Sequence, residues 1–280
     1  GATGPKGDTG LWGTVNRAIP TTNALTVLDQ TGDVGWYPAI TIGKDGLGLI
    51  AYYDATNDDL IVAHCSNINC THISKTVVDS NGGEYLSIAI GADGQGLVSY
   101  YDSTNDDLKL VHCLNATCSQ YDAPVILDSD GDVGASTSLA IGGDGLGLIA
   151  YYGRDVKDLK MAHCSNISCS EATITSPDRD NDMGQYASLA VGIDGMGIVS
   201  YYDATNKNLK VAHCSNAHCS EATIINPDSV GDVGLYTSIA ITQDGFPMVS
   251  YYDATNDQLK VLSCTNIDCS SFSKNIPFPS

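Results

Sequence analysis

A five-bladed β-propeller, all-β with four antiparallel strands and one local disulfide per blade, is the fold this sequence predicts. Three observations lead there. One stretch is written five times, its first cysteines Cys65, Cys113, Cys164, Cys214 and Cys264 lying 48, 51, 50 and 50 residues apart. A period near fifty, repeated, marks a repeat architecture. Each copy reads as four short strands with no helical stretch, which makes a blade. The ten cysteines fall as five C-x4-C pairs, one per copy.

Residues 1–10, GATGPKGDTG, place Gly at positions 1, 4, 7 and 10. Only Gly fits at the axis of three wound polyproline-type chains, so the segment reads as collagen-like. Residues 11–23 match no repeat and read as a linker or arm. Residues 24–29, ALTVLD, match the ends of the repeats, such as ATITSPD at 172–178 and ATIINPD at 222–228. The propeller is therefore expected over 24–280, with this N-terminal strand closing the last blade. The tail SSFSKNIPFPS resembles THISKTVVDS at 71–80 and offers a rival fourth strand. A surplus strand would cap the edge or pair with a neighbouring molecule.

The copies start at Tyr37, Tyr85, Ser136, Tyr186 and Tyr236. In the cleanest one, YASLAVG alternates small and branched residues, as a first strand packed on both faces would. Its small positions, such as Ser188 and Ala190, suit the crowded centre of a small ring. Asp-Gly makes a tight turn, and GMGIVSYYD is a second strand rich in β-formers. ATNKN turns into LKVAHC, the third strand. SNAHCSE is a loop, and ATIINPD is the fourth strand. The YY pairs are expected to fill the widening gap between blades, with hydroxyls reaching the edge.

The cysteine pairs are Cys65/Cys70, Cys113/Cys118, Cys164/Cys169, Cys214/Cys219 and Cys264/Cys269. Their regularity favours local disulfides, each closing a short loop and contributing about 2 kcal/mol. Zinc is the competing reading, with His64, His112, His163 or His213 as a third ligand. Neighbouring strand residues point to opposite faces, so His and Cys do not converge. Disulfides imply an oxidising compartment, hence an extracellular or cell-surface location.

The formal charge of -20, from 33 acidic and 13 basic residues, makes nucleic acid a poor partner. No apolar run approaches the roughly 20 residues of a membrane span. Without an initiator Met or a signal-peptide pattern, the chain reads as a mature product or a fragment.

Connectivity places the loops between strands two and three on one face with the loops that join blades, so that face is expected to be acidic. Ligand-binding candidates there are Asp54, Asn57, Asp102, Asn105, Asp203, Asn206, Asp253 and Asn256. Ordinary turn chemistry, in which Asp and Asn bond their own backbone, is the leading reading of these loops, and no cofactor is expected. Calcium is the alternative, the ion such oxygens would take. The same loops suit a lectin with one shallow site per blade, gaining avidity by repetition. Sequons at Asn69, Asn115 and Asn166 lie in the disulfide loops and mark candidate glycosylation sites. The Asp-Gly turns loosely resemble the Asp boxes of sialidase-like propellers, but the Ser-x-Asp-x-Gly-x-x-Trp pattern is absent. A glycosidase needs an acid and a base in distinct environments, and near-identical blades argue against one privileged pair. Repeat 3 departs, with YYGRDVKD for YYDATNKN and Ser136 for the leading Tyr. A blade with a private function would be this one, although drift in a redundant repeat is the favoured cause of the departure.

Strings of the form AIGxDGLGLISYYDATNxDLKVAHCSNxxC, over residues 31–270, resemble tandem repeats of extracellular proteins from environmental bacteria. Residues 1–10 resemble the collagen-like stalks of bacterial and viral surface proteins. The first resemblance implies a secreted propeller and names no activity. The second implies a trimer through the stalk. The leading expectation is a non-enzymatic structural or adhesive protein, a unit of a surface appendage or filament assembled through its N-terminal segment, with no catalytic site. A lectin is the alternative, and a glycosidase-like enzyme is third. Self-association, by trimer or strand exchange, and glycans are the expected partners.

Overall fold

The computed structural model describes residues 25–273. The collagen-like segment, the arm and residue 24 fall outside them, as do residues 274–280. The described chain holds five antiparallel four-stranded sheets in sequence, each ordered as the chain runs. Blade 1 is β1 (Val34–Ile42), β2 (Gly48–Asp54), β3 (Asp59–Cys65) and β4 (Ile73–Asp79). Blade 2 is β5 (Glu84–Ile90), β6 (Gly96–Asp102), β7 (Asp107–His112) and β8 (Val125–Asp128). Blade 3 is β9 (Val133–Ile141), β10 (Gly147–Gly153), β11 (Asp158–Cys164) and β12 (Ala172–Asp178). Blade 4 is β13 (Met183–Val191), β14 (Gly197–Asp203), β15 (Asn208–Cys214) and β16 (Ala222–Asp228). Blade 5 is β17 (Val233–Ile241), β18 (Pro247–Asp253), β19 (Gln258–Cys264) and β20 (Phe272–Ser273). This is the five-bladed propeller that the repeat predicts.

All five C-x4-C pairs are disulfides within their own blade: Cys65–Cys70, Cys113–Cys118, Cys164–Cys169, Cys214–Cys219 and Cys264–Cys269, with Cα atoms 4.7 to 4.9 Å apart. The first cysteine of each pair sits at or just past the end of the third strand. The second turns the chain back. Cys70, Cys118, Cys169, Cys219 and Cys269 all take left-handed backbone, with φ between 48 and 56°. Each donates its N–H to the carbonyl three residues earlier, that of Asn67, Asn115, Asn166, Asn216 or Asn266. A tight turn in this conformation is what lets so short a loop bring the two sulfurs together.

The histidine before the first cysteine does different work. His64 Nε2 lies 2.8 Å from Asp45 Oδ2, and His112, His163 and His213 meet Asp93, Asp144 and Asp194 in the same way. Each ties the third strand to its blade's Asp-Gly turn, while the neighbouring sulfur is spent on its disulfide. Blade 5, with Ser263, has no such imidazole.

The core lies between blades. One cluster joins Leu148 and Met161 of blade 3 to Leu189, Val199 and Tyr201 of blade 4. The first tyrosine of each YY pair locks the seam. Tyr201 donates its hydroxyl to Asp178 Oδ2 at 2.7 Å, and Lys210 Nζ donates to the same oxygen at 2.7 Å. Asp178 ends the previous blade, so the contact crosses the seam. Equivalent hydroxyl bonds join Tyr52 to Asp29, Tyr100 to Asp79, Tyr151 to Asp128 and Tyr251 to Asp228. A phenol and an ammonium together satisfy a carboxylate that burial would otherwise leave costly.

Four seams are alike and one is not. Leu60, Leu108, Leu159 and Leu209 are each 0% exposed, whereas Leu259, the same position in blade 5, is 79% exposed. Gly83, Gly134, Gly184 and Gly234 of the following blades abut those four leucines, too close for a Cβ without displacement. Gly35 of blade 1 has no neighbour within 4 Å of that point. Ser238 of blade 5 likewise lacks the backbone bond that Ser87, Ser138 and Ser188 accept from the next blade. Among the described residues, then, blades 5 and 1 do not repeat the packing of the other seams. Blade 5 takes its fourth strand from the tail, where Cys264 pairs with Phe272, and not from residues 25–30, which are in no strand. Asp29 fastens those residues to blade 1, accepting from Tyr52 and from Lys75 Nζ at 2.7 Å. Lys75 stands in for the lysine that Ile61 replaces.

Candidate functional site

The loops between strands two and three hold the residues that the sequence singles out. Asp54, Asp102, Asp203 and Asp253 are buried, between 0 and 4% exposed. In each, one carboxylate oxygen accepts from the side-chain amide of Asn57, Asn105, Asn206 or Asn256, at 2.8 to 2.9 Å. The other accepts backbone N–H groups of the same turn. The eight residues therefore close their own hairpins, with the four carboxylates turned into the loop. Burial alone would raise the Asp253 carboxyl, but bonds from Asn256 and Lys260 hold it down at about 2. No group of three or more His, Cys, Asp or Glu that could hold a metal ion occurs among the described residues. Of the sequons, Asn69 is exposed, while Asn115 and Asn166 spend their side-chain amides on Ser119 and Ser170 of their own loops.

The residue that opens each third strand is ill placed where it is an acid: burial first pushes up the carboxyls of Asp59, Asp107 and Asp158. Asp107 is buried, and burial first, then the neighbouring Asp102 carboxylate, push its carboxyl up. Asn208 and Gln258 occupy the equivalent position in blades 4 and 5. A folded-state pKa above 3.8 means that ionised Asp107 opposes folding at neutral pH, and that this opposition fades as pH falls through the raised value. Asp107→Asn is expected to raise the urea midpoint at pH 7 and to leave it unchanged near pH 3. Equal midpoints at pH 7 would reject this account.

The place where the repeats come together differently is the axial mouth, on the same acidic face. Each inner strand carries a bulge near its start, as between Gln185↔Tyr202 and Ser188↔Ser200. Its bulged residue is left-handed: Tyr37, Tyr85, Ser136, Tyr186 and Tyr236 have φ between 48 and 54°. A bulky residue there is strained by about 1–3 kcal/mol, and bulges re-aim side chains. Here they turn four phenols toward the axis. Tyr37 and Tyr85 lie 4.8 Å apart between ring centroids, and Tyr186 and Tyr236 lie 4.5 Å apart. Burial, then the neighbouring Tyr85 and Glu84, push the Tyr37 hydroxyl up, so it stays a neutral donor.

Blade 3 breaks the ring with Ser136. Arg154, standing where other blades have Ala or Ser, reaches across the gap. Its guanidinium lies 5.5 Å from the Tyr85 centroid and 4.8 Å from that of Tyr101. A depression of about 360 Å³ opens beside it. The residue before each bulge never repeats: Trp36, Glu84, Ala135, Gln185, Leu235. Trp36 Nε1 donates to Asp33 at 2.8 Å, and Gln185 Nε2 to Asp182 at 3.1 Å. Glu84 is half-buried, and its carboxylate has no hydrogen-bond partner among the described residues. Sequence reasoning singles out Ser136 and the Arg154 segment but passes over Trp36, Glu84 and Gln185. The signal was present, in a variable position beside an otherwise repeated tyrosine.

No protein-family model matches the chain, and no curated protein matches it in sequence. Solved structures do match. A protein of unknown function from Dyadobacter fermentans is similar with a TM-score of 0.65 at 11% identity, over 88% of this chain and 82% of that one. The α-L-arabinanase of Penicillium chrysogenum, solved with arabinobiose, is similar at 0.59 and 11% identity, over 86% of this chain and 80% of that one. The exo-β-1,3-galactanase of Phanerochaete chrysosporium, solved with β-1,3-galactotriose, is similar at 0.52 and 9% identity, over 88% and 67%. The likeness is one of fold. It corrects the leading expectation of a non-enzymatic structural or adhesive filament unit, because this architecture is one that carries glycan-cleaving enzymes. The physical ground of that expectation also fails. Near-identical blades argued against a privileged site, but the blades are not identical at the mouth, where Glu84, Arg154, Gln185 and Trp36 stand among repeated tyrosines.

Proposed function

We propose that this chain is a carbohydrate-active propeller of the glycosidase kind, which takes one glycan at the axial mouth. The observation that carries the reading is the ring of left-handed tyrosines interrupted by unrepeated polar residues. Phenol rings offer flat apolar faces with hydroxyls at their edges, the surface a sugar presents in complement. The strain of holding tyrosine at positive φ, repeated in four blades, supports a role beyond packing. Glu84 is the group to transfer a proton, since it is half-buried and unclaimed by the protein. Asp132, which accepts from Tyr101 at 3.0 Å and lies beside Arg154, is the second carboxylate of the same mouth. A glycosidase uses two such groups across the scissile bond. The enzymes of similar fold that act on arabinan and galactan supply the substrate class to try first.

A second reading, sugar binding without cleavage, has one observation in its favour. Glu84 has no hydrogen-bond partner among the described residues, while Asp132, Asp182 and Asp232 are each engaged by a tyrosine hydroxyl. One experiment separates the two. The protein is incubated with arabino- and galacto-oligosaccharides, products are followed by mass spectrometry, and binding by calorimetry. Hydrolysis is expected, falling at least ~100-fold in Glu84→Gln with binding retained. Binding without products in the wild type selects the second reading. Neither binding nor products would reject both.

A further inference from the structure

Building on the carbohydrate reading above, we propose that the blade 3 sector of the mouth is a subsite for a sugar bearing a single carboxylate, a uronate unit, held by Arg154. The repeat is broken twice in one spot. Ser136 removes the ring that Tyr37, Tyr85, Tyr186 and Tyr236 supply elsewhere, and Arg154 enters from a position that is Ala55, Ser103, Ala204 or Ala254 in the other blades. A substitution that only filled the hole left by the tyrosine would need bulk. This one brings a permanent charge.

The guanidinium is held in place on one side and open on the other. Its Nη1 donates to the Tyr101 hydroxyl at 3.1 Å and lies 3.5 Å from Asp132 Oδ1, too far for a strong bond. Cation–π contact with the rings of Tyr85 and Tyr101, 5.5 and 4.8 Å away, braces it on that side. Nε and Nη2 have no hydrogen-bond partner among the described residues. That leaves donors of a rigid planar fork, the geometry that matches a carboxylate in two parallel bonds. The depression beside it is lined by Tyr85, Ser136, Tyr152, Arg154, Gln185 and Tyr186. Its volume of about 360 Å³ falls in the range of small-ligand clefts, roughly 300–1,000 Å³. Tyr85 and Tyr186 flank the space where a sugar ring would lie, and the Ser136 hydroxyl has no protein partner among the described residues.

Charge on the rest of the molecule narrows the ligand. With a formal charge of -20, the protein repels a polyanion at long range. A chain of uronates is therefore disfavoured, whereas one terminal carboxylate meets the cation locally. A neutral sugar would leave the open edge of the guanidinium unmatched.

The test measures binding of two trisaccharides of one linkage, capped by glucuronate or by glucose, to the full chain by calorimetry. The uronate is expected to bind at least about tenfold more tightly, as a charge-assisted bidentate pair would. The third ligand is the glucuronamide cap, which removes the charge from the sugar and leaves the protein untouched. The preference is expected to disappear with it, and also in Arg154→Ala, with partial recovery in Arg154→Lys. Ser136→Tyr, which restores the ring, is expected to abolish binding of both acid and neutral caps. A preference that survives the uronamide or Arg154→Ala overturns the subsite. Equal binding of all three caps also overturns it and leaves the glycan reading standing. No binding of any cap removes both.

Discussion

Leu209→Ala is expected to cost about 2–5 kcal/mol of unfolding free energy, the usual range for a buried leucine. Leu259→Ala, at the same position of blade 5, is expected to change it by less than about 0.5 kcal/mol. The two leucines occupy equivalent sites of equivalent strands. Leu209 is fully buried with Gly234 of the next blade against it, and Leu259 is 79% exposed. The cost of truncation is set by the atoms that lose contact, so the difference reports the packing of one seam directly. Urea denaturation of both variants is the measurement. Equal costs would mean that blade 5 packs on blade 1 in solution as the other blades pack on their neighbours.

Asp178→Ala is expected to destabilise by about 3–5 kcal/mol, because it strands the Lys210 ammonium in a buried seam. Asp178 and Lys210 side chains are 4% and 11% exposed, and Tyr201 loses its acceptor at the same time. Asp29→Ala removes the matching carboxylate from blade 1, where Lys75 is 45% exposed and can return to water. About 1 kcal/mol or less is expected there. Asp178→Ala combined with Lys210→Met is expected to recover most of the loss, since no buried charge then remains unpaired. Failure of the double variant to recover would locate the cost in the tyrosine hydroxyl and not in the ammonium.

Much of the architecture was legible because it is local and repeated. Strand alternation, the Asp-Gly turns and the C-x4-C spacing each act within one copy, and five copies averaged out their ambiguity. The adjacency of His and Cys, which puts them on opposite faces of a strand, favoured disulfides over zinc, and the cysteines do pair with each other. The Asp and Asn residues of the hairpins were legible only as a choice between ligand binding and turn chemistry. Backbone hydrogen bonds within the same hairpin place them in the turns. Glu84 and Gln185 were not legible as site residues, because their meaning depends on neighbours from other blades.

The sequence by itself determined the number of blades, the strands in each, the five disulfides and the acidic face, since these follow from interactions inside a fifty-residue unit. Only the tertiary structure decided where the symmetry ends. It brought Tyr85, Ser136, Arg154 and Gln185 of three blades to one depression, and it left Leu259 and Gly35 without each other. Both outcomes belong to the geometry between repeats, where side chains far apart in sequence meet, and a repeat read alone carries no record of its neighbours.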